Sequence, residues 1–355
     1  MPIESRNKCI HKTYLNICYW NIHGWTSKLI GNKLYNPEFL NKISDCDILC
    51  LSEIHSNKDV SIPGFYSLRQ KIRKKSHTGP KISGGIGVFA KENLRNLIQV
   101  IPNDNEDSIW FKIKKDLRQD KDDIFVGSYY VSPPNKKNSG KFDFFSTLND
   151  EIQKFREKGT VLVQGDLNAR TGIETDFVES DKYDDCLGIC NFCDHGSRNS
   201  EDKTVNKRGR DLLDLCKVND LLITNGRSVG DLFGKCTSHQ WSGSALNDYL
   251  LTPFHFIHRI TNFSVGDYIP WLSDHCPIYN TISLKRDLTS LPPNRLNEIA
   301  PSLIFDSKAK RSFQDELNSQ NTKLLFSQLI EQNDITATEM GVAVKDLLNN
   351  VAKKM

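Results

Sequence analysis

Short apolar or alternating runs, broken at intervals by turn-forming residues, constrain this 355-residue chain more than any other feature. The runs span 14–22, 48–54, 85–90, 97–101, 124–131, 161–164, 221–224, 246–251 and 278–284, and Gly, Pro, Asn and Asp separate most of them, which is how strands are punctuated. Helical spacing is rarer. Leu148, Ile152 and Phe155 share one face of a helix expected to start near Asp143, and Leu212, Leu215 and Cys216 share a face after Gly209. Many strands with few intervening helices predict two packed sheets flanked by helices rather than a regular βαβ repeat.

After about Lys285 the pattern changes. Thr289 to Asn294 holds two prolines and reads as a linker. Phe313 and Leu317, then Leu324, Phe326 and Leu329, suggest one helix, and Thr336 with Glu339 is a capping-box signature opening a second. Met340, Val344, Leu347, Leu348 and Val351 form an apolar stripe on it, read as packing on its own domain or its neighbour helix. The expected division is an N-terminal extension over 1–12, a main domain over 13–285, and a linker with a helical extension over 286–355.

Hydrophobic residues make up 38% and charged residues 26% of the chain, so it has the means to bury a core. The net charge of +3 leaves 47 basic residues nearly cancelled by 44 acidic ones, and a polyanionic partner has to be argued locally. Its 10 cysteines are too sparse for a disulfide-stapled secreted scaffold and are read as reduced intracellular thiols. No stretch reaches the roughly 20 apolar residues that cross a bilayer, and neither a signal sequence nor a prenylation box is expected.

The chemistry-bearing residues cluster at the ends of the apolar runs. Asn21, Glu53, Tyr130, Asp166, Asn168, Asp248, Asp274 and His275 all lie in or beside one, and strand ends are where a sandwich gathers residues at one rim. Taken singly, Asp166 or Asn168 reads as a turn former, His275 as a satisfied core histidine and Tyr130 as a strand aromatic. Glu53 is less easily dismissed, because a carboxylate at the edge of a core needs a cation or donors nearby. As a set they suit phosphodiester hydrolysis, which needs a cation, an activated water and charge stabilisation. Glu53 and Asn21 fit a Mg²⁺ site, which takes only one or two carboxylates and keeps most of its waters. Asp248 and His275 fit a carboxylate-oriented imidazole.

The blocks W-N-I-H-G, L-S-E-I-H, S-G-G-I-G-V, Y-V-S-P-P-N, G-D-L-N-A-R, N-D-Y-L-L and S-D-H-C-P-I, in that order over residues 13 to about 285, resemble the endonuclease/exonuclease/phosphatase superfamily. That resemblance implies an α/β fold: a four-layer α/β sandwich of two packed, mostly antiparallel sheets flanked by helices, here with a C-terminal helical extension. Arg198-Asn199-Ser200, Asp202, Asn206, Gly209, Leu212-Leu213, Thr224 to Arg227, Gly230-Asp231 and Gly234 are similar to LINE-type (non-LTR) retrotransposon endonucleases. The segment after 285 resembles the linker that precedes reverse transcriptase in such elements.

Carried over by residue, the resemblance implies that Asn21, Glu53 and Asp274 hold Mg²⁺ or Mn²⁺. It implies that Asp166 positions or deprotonates the attacking water, that Asn168 holds the phosphate, and that Tyr130 contacts the phosphate or assists the leaving group. His275, oriented by Asp248, would stabilise the transition-state charge. The expected activity is DNA nicking to 3′-hydroxyl and 5′-phosphate ends, with abasic-site repair, another phosphoester substrate and an inactive DNA-binding remnant as alternatives. The implied setting is nuclear, with a reverse transcriptase region encoded downstream. Two positions depart from the pattern. His23 stands where many members carry an acidic residue, and Ala245, Leu246 and Asn247 replace the bulky apolar side chains of the abasic-site branch.

Three side features carry other readings. Cys186, Cys190, Cys193 and His195 contain a C-x-x-C half-knuckle, but the partner half is not spaced like a finger and zinc is not expected. Arg69, Lys71, Arg73, Lys74 and Lys75 form a basic run that fits DNA phosphates or a solvated loop equally well, and Arg170 is a further candidate for phosphate contact. Trp25, Trp241 and Trp271 are candidates to stack on bases or to sit in the core.

Overall fold

The computed structural model describes residues 12–72, 83–117, 122–133, 144–178, 198–284, 315–316 and 318–330. The chain divides into two compact units, residues 1–286 and 287–355. In chain order the strands of the first unit are β1 (Tyr14–Asn21), β2 (Thr26–Ser27), β3 (Gly31–Asn32), β4 (Ile48–Ser52), β5 (Phe65–Lys71), β6 (Ile86–Lys91), β7 (Ile98–Ile101), β8 (Ser108–Ile113), β9 (Asp123–Tyr130), β10 (Gly159–Asp166), β11 (Leu221–Ile223), β12 (Ser238–Gln240), β13 (Gly243–Ala245), β14 (Asp248–Pro253), β15 (Ile260–Val265) and β16 (Ile278–Ser283). The helices are α1 (Pro37–Ile43), α2 (Phe144–Arg156) and α3 (Lys207–Val218), with α4 (Gln320–Ile330) in the second unit.

One six-stranded sheet has the order β15-β16-β1-β4-β6-β5 and the other the order β11-β14-β10-β9-β8-β7. Each contains a single parallel pair, β1 with β4 and β9 with β10, and is otherwise antiparallel. Strand alternation then assigns the layers. Ile17, Tyr19, Ile48, Cys50 and Ile278 from the first sheet meet Ile109, Phe111, Val126, Leu162 and Leu250 from the second in one inner core. Val161 and Val163 face the other way and pack on Leu148, Ile152 and Phe155 of α2 and Leu212 and Leu215 of α3. On the far side, Cys18, Trp20, Leu49 and Leu51 pack on Phe39 and Ile43 of α1. Helix, sheet, sheet and helix give the four layers that the sequence leads one to expect.

The helix starts follow from local chemistry. Asn36 accepts hydrogen bonds from the Glu38 and Phe39 amides, at 2.9 and 3.0 Å, and Pro37 follows it at the first helical position. Asn206 caps α3 by accepting from the Gly209 amide at 2.7 Å. The short α1, the edge strand β5, and β8 and β15 lack a clean pattern in the sequence. In the second unit α4 forms and Leu324 is exposed. Phe313, Leu317, the proline linker and the helix expected after Thr336 lie outside the described residues.

Gly209 sits inside α3 because its backbone is pressed on Arg170, where an added Cβ would stand 1.8 Å from the carbonyl oxygen. In an ordinary helix Gly→Ala stabilises by about 1 kcal/mol. Here Gly209→Ala is expected to destabilise by about 2 kcal/mol through overpacking, read as a lowered urea midpoint; an unchanged or raised midpoint would disprove the contact.

Candidate active site

Strand register brings the site together. In the second sheet Asp166 ends β10, opposite Tyr130 at the end of parallel β9 and opposite Asp248 at the start of antiparallel β14. In the first sheet Asn21 ends β1 opposite Ser52, and Glu53 follows directly. His275, just before β16, is bridged to Ser238 of β12, and its carbonyl accepts from Trp20 Nε1 at 2.8 Å. Both sheets therefore deliver their strand ends to one rim.

Asn21 joins the two halves. Its Nδ2 donates to Asp166 Oδ2 at 3.0 Å and lies 3.3 Å from Glu53 Oε1, while its Oδ1 accepts the His23 amide at 3.1 Å. His275 Nδ1 lies 2.8 Å from Asp248 Oδ2, and its Nε2 lies 3.8 Å from Asp166 Oδ2. The Asn168 amide donates to Asp166 Oδ1 at 3.0 Å, and Asn168 Nδ2 donates to the Val131 carbonyl at 2.7 Å. The Tyr130 hydroxyl lies beside the Glu53 carboxylate. His23 Nδ1 lies 3.2 Å from Asp274 Oδ1 and 4.0 Å from Glu53 Oε2, and His55 Nε2 lies 3.1 Å from the same Glu53 oxygen.

The backbone is strained at this rim. Among the described residues the positive-φ positions other than glycine are His23 (47°), Glu53 (49°), His55 (47°), Asn168 (45°) and Asp220 (50°). All but Asp220 belong to the site. A left-handed non-glycine residue is costly and persists only where its surroundings over-determine it. Here the restraints are visible: the Gly24 amide donates to Glu53 O at 2.6 Å and the His55 amide to Gly84 O at 3.0 Å.

Charge divides the site in two. Burial alone would raise the Glu53 carboxyl, but hydrogen bonds from His55, Tyr130 and Asn21 and the His55 charge hold it at about 2. Asp274 is likewise held down: burial opposes ionisation, and His23 and His275 outweigh it. Asp166, fully buried and near Asp248, is pushed up by desolvation first and the neighbouring charge second. For His275 burial disfavours the proton, yet Asp248 and Asp166 together raise its pKa. Tyr130 is raised by burial and by Glu53. The result is an ionised, partly exposed oxygen pair beside a dry Asp-His-Asp cluster.

The residues fit a hard divalent cation. Asp166, Asp248 and His275 place ligand atoms within 4.8 Å of one another, but His275 Nδ1 is engaged by Asp248 and the three are buried. Mg²⁺ keeps several waters, which favours the partly exposed oxygens of Glu53 and Asp274, with Asn21 buried beside them. Glu53 and Asp274 both lie within 4.0 Å of His23 Nδ1, so the anionic pair faces a shared point. His23 itself lies among these groups where an acidic side chain was expected from the resemblance.

Tyr130, Asp166, Asn168, Asp248, His275, Asn21, Glu53 and Asp274 thus all meet at the rim. The described positively charged candidates do not. Arg170 makes a bidentate pair with Asp202, at 2.7 and 2.6 Å, so its guanidinium is engaged within the chain. Arg69 is exposed on the edge strand β5, and Lys71 Nζ donates to Asn103 O, Asn103 Oδ1 and Asn105 O at 2.7–2.9 Å. Arg73, Lys74, Lys75, Cys186, Cys190, Cys193 and His195 lie outside the described residues. Trp25 packs edge-on against Phe39 in the core, whereas Trp241 is fully exposed and Trp271 half exposed.

Sequence reasoning missed three neighbours of the site. Lys33 is buried, donates to the Ile22 carbonyl, and is lowered to about 8 by desolvation against the pull of Asp274. His55 pairs with Glu53. Arg208, in the first turn of α3, donates to Ser132 O at 2.6 Å and feels the Asp166 charge. A lysine between two polar turns and an arginine on an amphipathic helix carry no local signal of burial or convergence.

Solved structures share this architecture. An AP endonuclease, LMAP, from Leishmania major superposes with a TM-score of 0.53 over 76% of this chain and 88% of its own, at 13% identity. The two share an α/β sandwich fold. The endonuclease domain of the telomere-specific non-LTR retrotransposon TRAS1 gives a TM-score of 0.47 at 15% identity over 77% of this chain and 100% of its own. The 3′-5′ exonuclease NExo from Neisseria meningitidis gives 0.48 at 14% identity over 76% and 100%. No protein-family model and no curated protein matches the sequence.

Within this sandwich the charge of His275 is testable. Its pKa lies above 6.5 in the folded chain, so the stabilisation from its proton is complete below that pH and is lost as pH rises through the folded value. Ring-nitrogen NMR is expected to find His275 protonated at pH 7, and in Asp248→Asn to find its pKa lowered; a neutral wild-type ring at pH 7 would refute the charge assignment.

Proposed function

We propose that this chain is a divalent-metal-dependent phosphodiesterase that nicks one strand of DNA, leaving 3′-hydroxyl and 5′-phosphate ends. The observation that carries the reading is the meeting of Asn21, Glu53, Tyr130, Asp166, Asn168 and the Asp248-held His275 at one rim. Asp166 orients the attacking water and accepts its proton, a role suited to a carboxylate whose proton affinity burial has raised. The water oxygen bonds to phosphorus and the bond from phosphorus to the 3′ oxygen breaks. Asn168 holds a phosphate oxygen with its amide, and Tyr130 contacts the phosphate or assists the departing oxygen. His275 donates from Nε2 to a phosphate oxygen, with Asp248 as the positioning residue that fixes its ring. Bound by Asn21, Glu53 and Asp274, Mg²⁺ or Mn²⁺ would neutralise phosphate charge and ease departure of the leaving oxygen.

The retrotransposon setting rests on the sequence words between Arg198 and Gly234 and on the segment after 285. It implies a nuclear target and a reverse transcriptase region encoded in a longer parent chain, for which the 3′-hydroxyl serves as primer. Trp241, exposed at the tip of the β12–β13 hairpin, and the exposed Arg69 are assigned to DNA, together with Arg73, Lys74 and Lys75 that follow it in the sequence.

Supercoiled plasmid incubated with the purified chain is expected to relax to open circle in Mg²⁺ and to stay intact in EDTA. Asp166→Ala and Glu53→Ala are each expected to slow nicking by at least about 10²-fold, and the nick should prime a DNA polymerase without end repair. Undiminished nicking by both variants would remove the site from the reaction, and cleavage confined to an abasic oligonucleotide would replace nicking with repair. Neutralising the basic run is expected to flatten the fall of nicking with salt; an unchanged slope would mean that those charges stay clear of the phosphates.

A further inference from the structure

Beside β11, two arginines and one carboxylate are buried. Arg198 is 2% exposed, the Arg227 side chain 5%, and Asp176 0%. Asp176 Oδ1 accepts from Arg227 Nη2 at 2.6 Å, and Asp176 Oδ2 accepts the Ile223 amide at 2.7 Å, so both oxygens are engaged. Among the described residues Arg198 reaches neutral acceptors: its Nη2 lies 3.2 Å from Thr171 O and 3.4 Å from Glu174 O. Among the described residues, Nε and Nη1 of both guanidiniums are buried and without a hydrogen-bond partner.

Such a cluster is physically incomplete. Among the described residues, two guanidiniums and one carboxylate leave one net positive charge, and an uncompensated buried charge is strongly destabilising. Arginine cannot escape by losing its proton. Burial lowers the Arg198 pKa first, and the like charge of Arg227 adds to it against the opposing pull of Tyr249, Asp176 and Cys216. The missing partner is therefore a single negative charge that accepts several N–H groups. A dianion would overcompensate the cluster, and a large organic acid has no route to atoms with no solvent exposure.

We propose that Arg198 and Arg227 hold a small monovalent anion of the halide class, physiologically chloride, as an internal structural ligand. It ties the turn carrying Thr171 and Asp176 to the turn carrying Ile223 and Arg227. Asn225, within that second turn, donates to Asp248 O at 3.1 Å and accepts the Leu250 amide at 3.2 Å. The anion thus braces the backbone from which Asp248 projects, without touching the rim.

The site is tested with the full chain and bromide. Crystals soaked in bromide are expected to show an anomalous peak between the two guanidiniums. In halide-free buffer the melting temperature should rise on adding low-millimolar bromide or chloride and then saturate, by about 2–4 °C, as expected for roughly 1 kcal/mol of linked binding. Arg198→Met should abolish the saturable rise. Ordered waters in place of a bromide peak, or a wild-type melting temperature indifferent to halide, would overturn the assignment. If Arg198→Met does not fold, the wild-type bromide map decides alone.

Discussion

The His275 imidazole, lying between Asp248 at 2.8 Å and Asp166 at 3.8 Å, is the contact on which the rest of the rim depends. Two carboxylates from adjacent strands are brought side by side by the β10–β14 register and then deprived of water. Without a cation between them both would be driven to protonate. With it, one can orient the ring while the other keeps a raised affinity for protons. Because strand side chains alternate, a one-residue slip of β14 would send Asp248 to the helix-covered face and leave His275 unsupported. The site is thus as well specified as the core beneath it.

That core explains how much was legible in advance. The runs ending at Asn21, Glu53, Tyr130 and Asp166 read as strands because both of their faces are buried, and apolar runs with a polar terminus are what such strands look like. The edge strand β5 was invisible because its exposed and half-buried residues, Phe65 to Lys71, alternate without a clear apolar face. Lys33 and Arg208 could not be read as site neighbours, since their placement is set by contacts with residues distant in sequence. Arg170 looked like a surface cation, and only the fold reveals Asp202 as its partner.

The words between Arg198 and Gly234 turn out to describe scaffolding. An added Cβ at Gly226 or Gly234 would approach Asn199 O to 1.9 or 2.2 Å, so the two glycines let three chain segments touch. Asp231 accepts the Gly226, Gly234 and Lys235 amides, and Asp202 accepts the Thr204 and Leu246 amides while holding Arg170. Buried carboxylates here substitute for regular secondary structure in satisfying loop amides. Letters that resemble a subfamily pattern therefore record how the turns around α3 and β11 are folded.

The β12–β13 hairpin is continuous with this scaffolding, yet its first residue bridges His275 and its His239 amide donates to Asp274 O at 2.7 Å. Whatever bends the hairpin must also tug the peptide units that carry an imidazole and a carboxylate of the rim. Grip on a ligand at the tip and the alignment of reactive groups at the base are in this way mechanically geared. Loop exchange at this position would change tempo as well as taste.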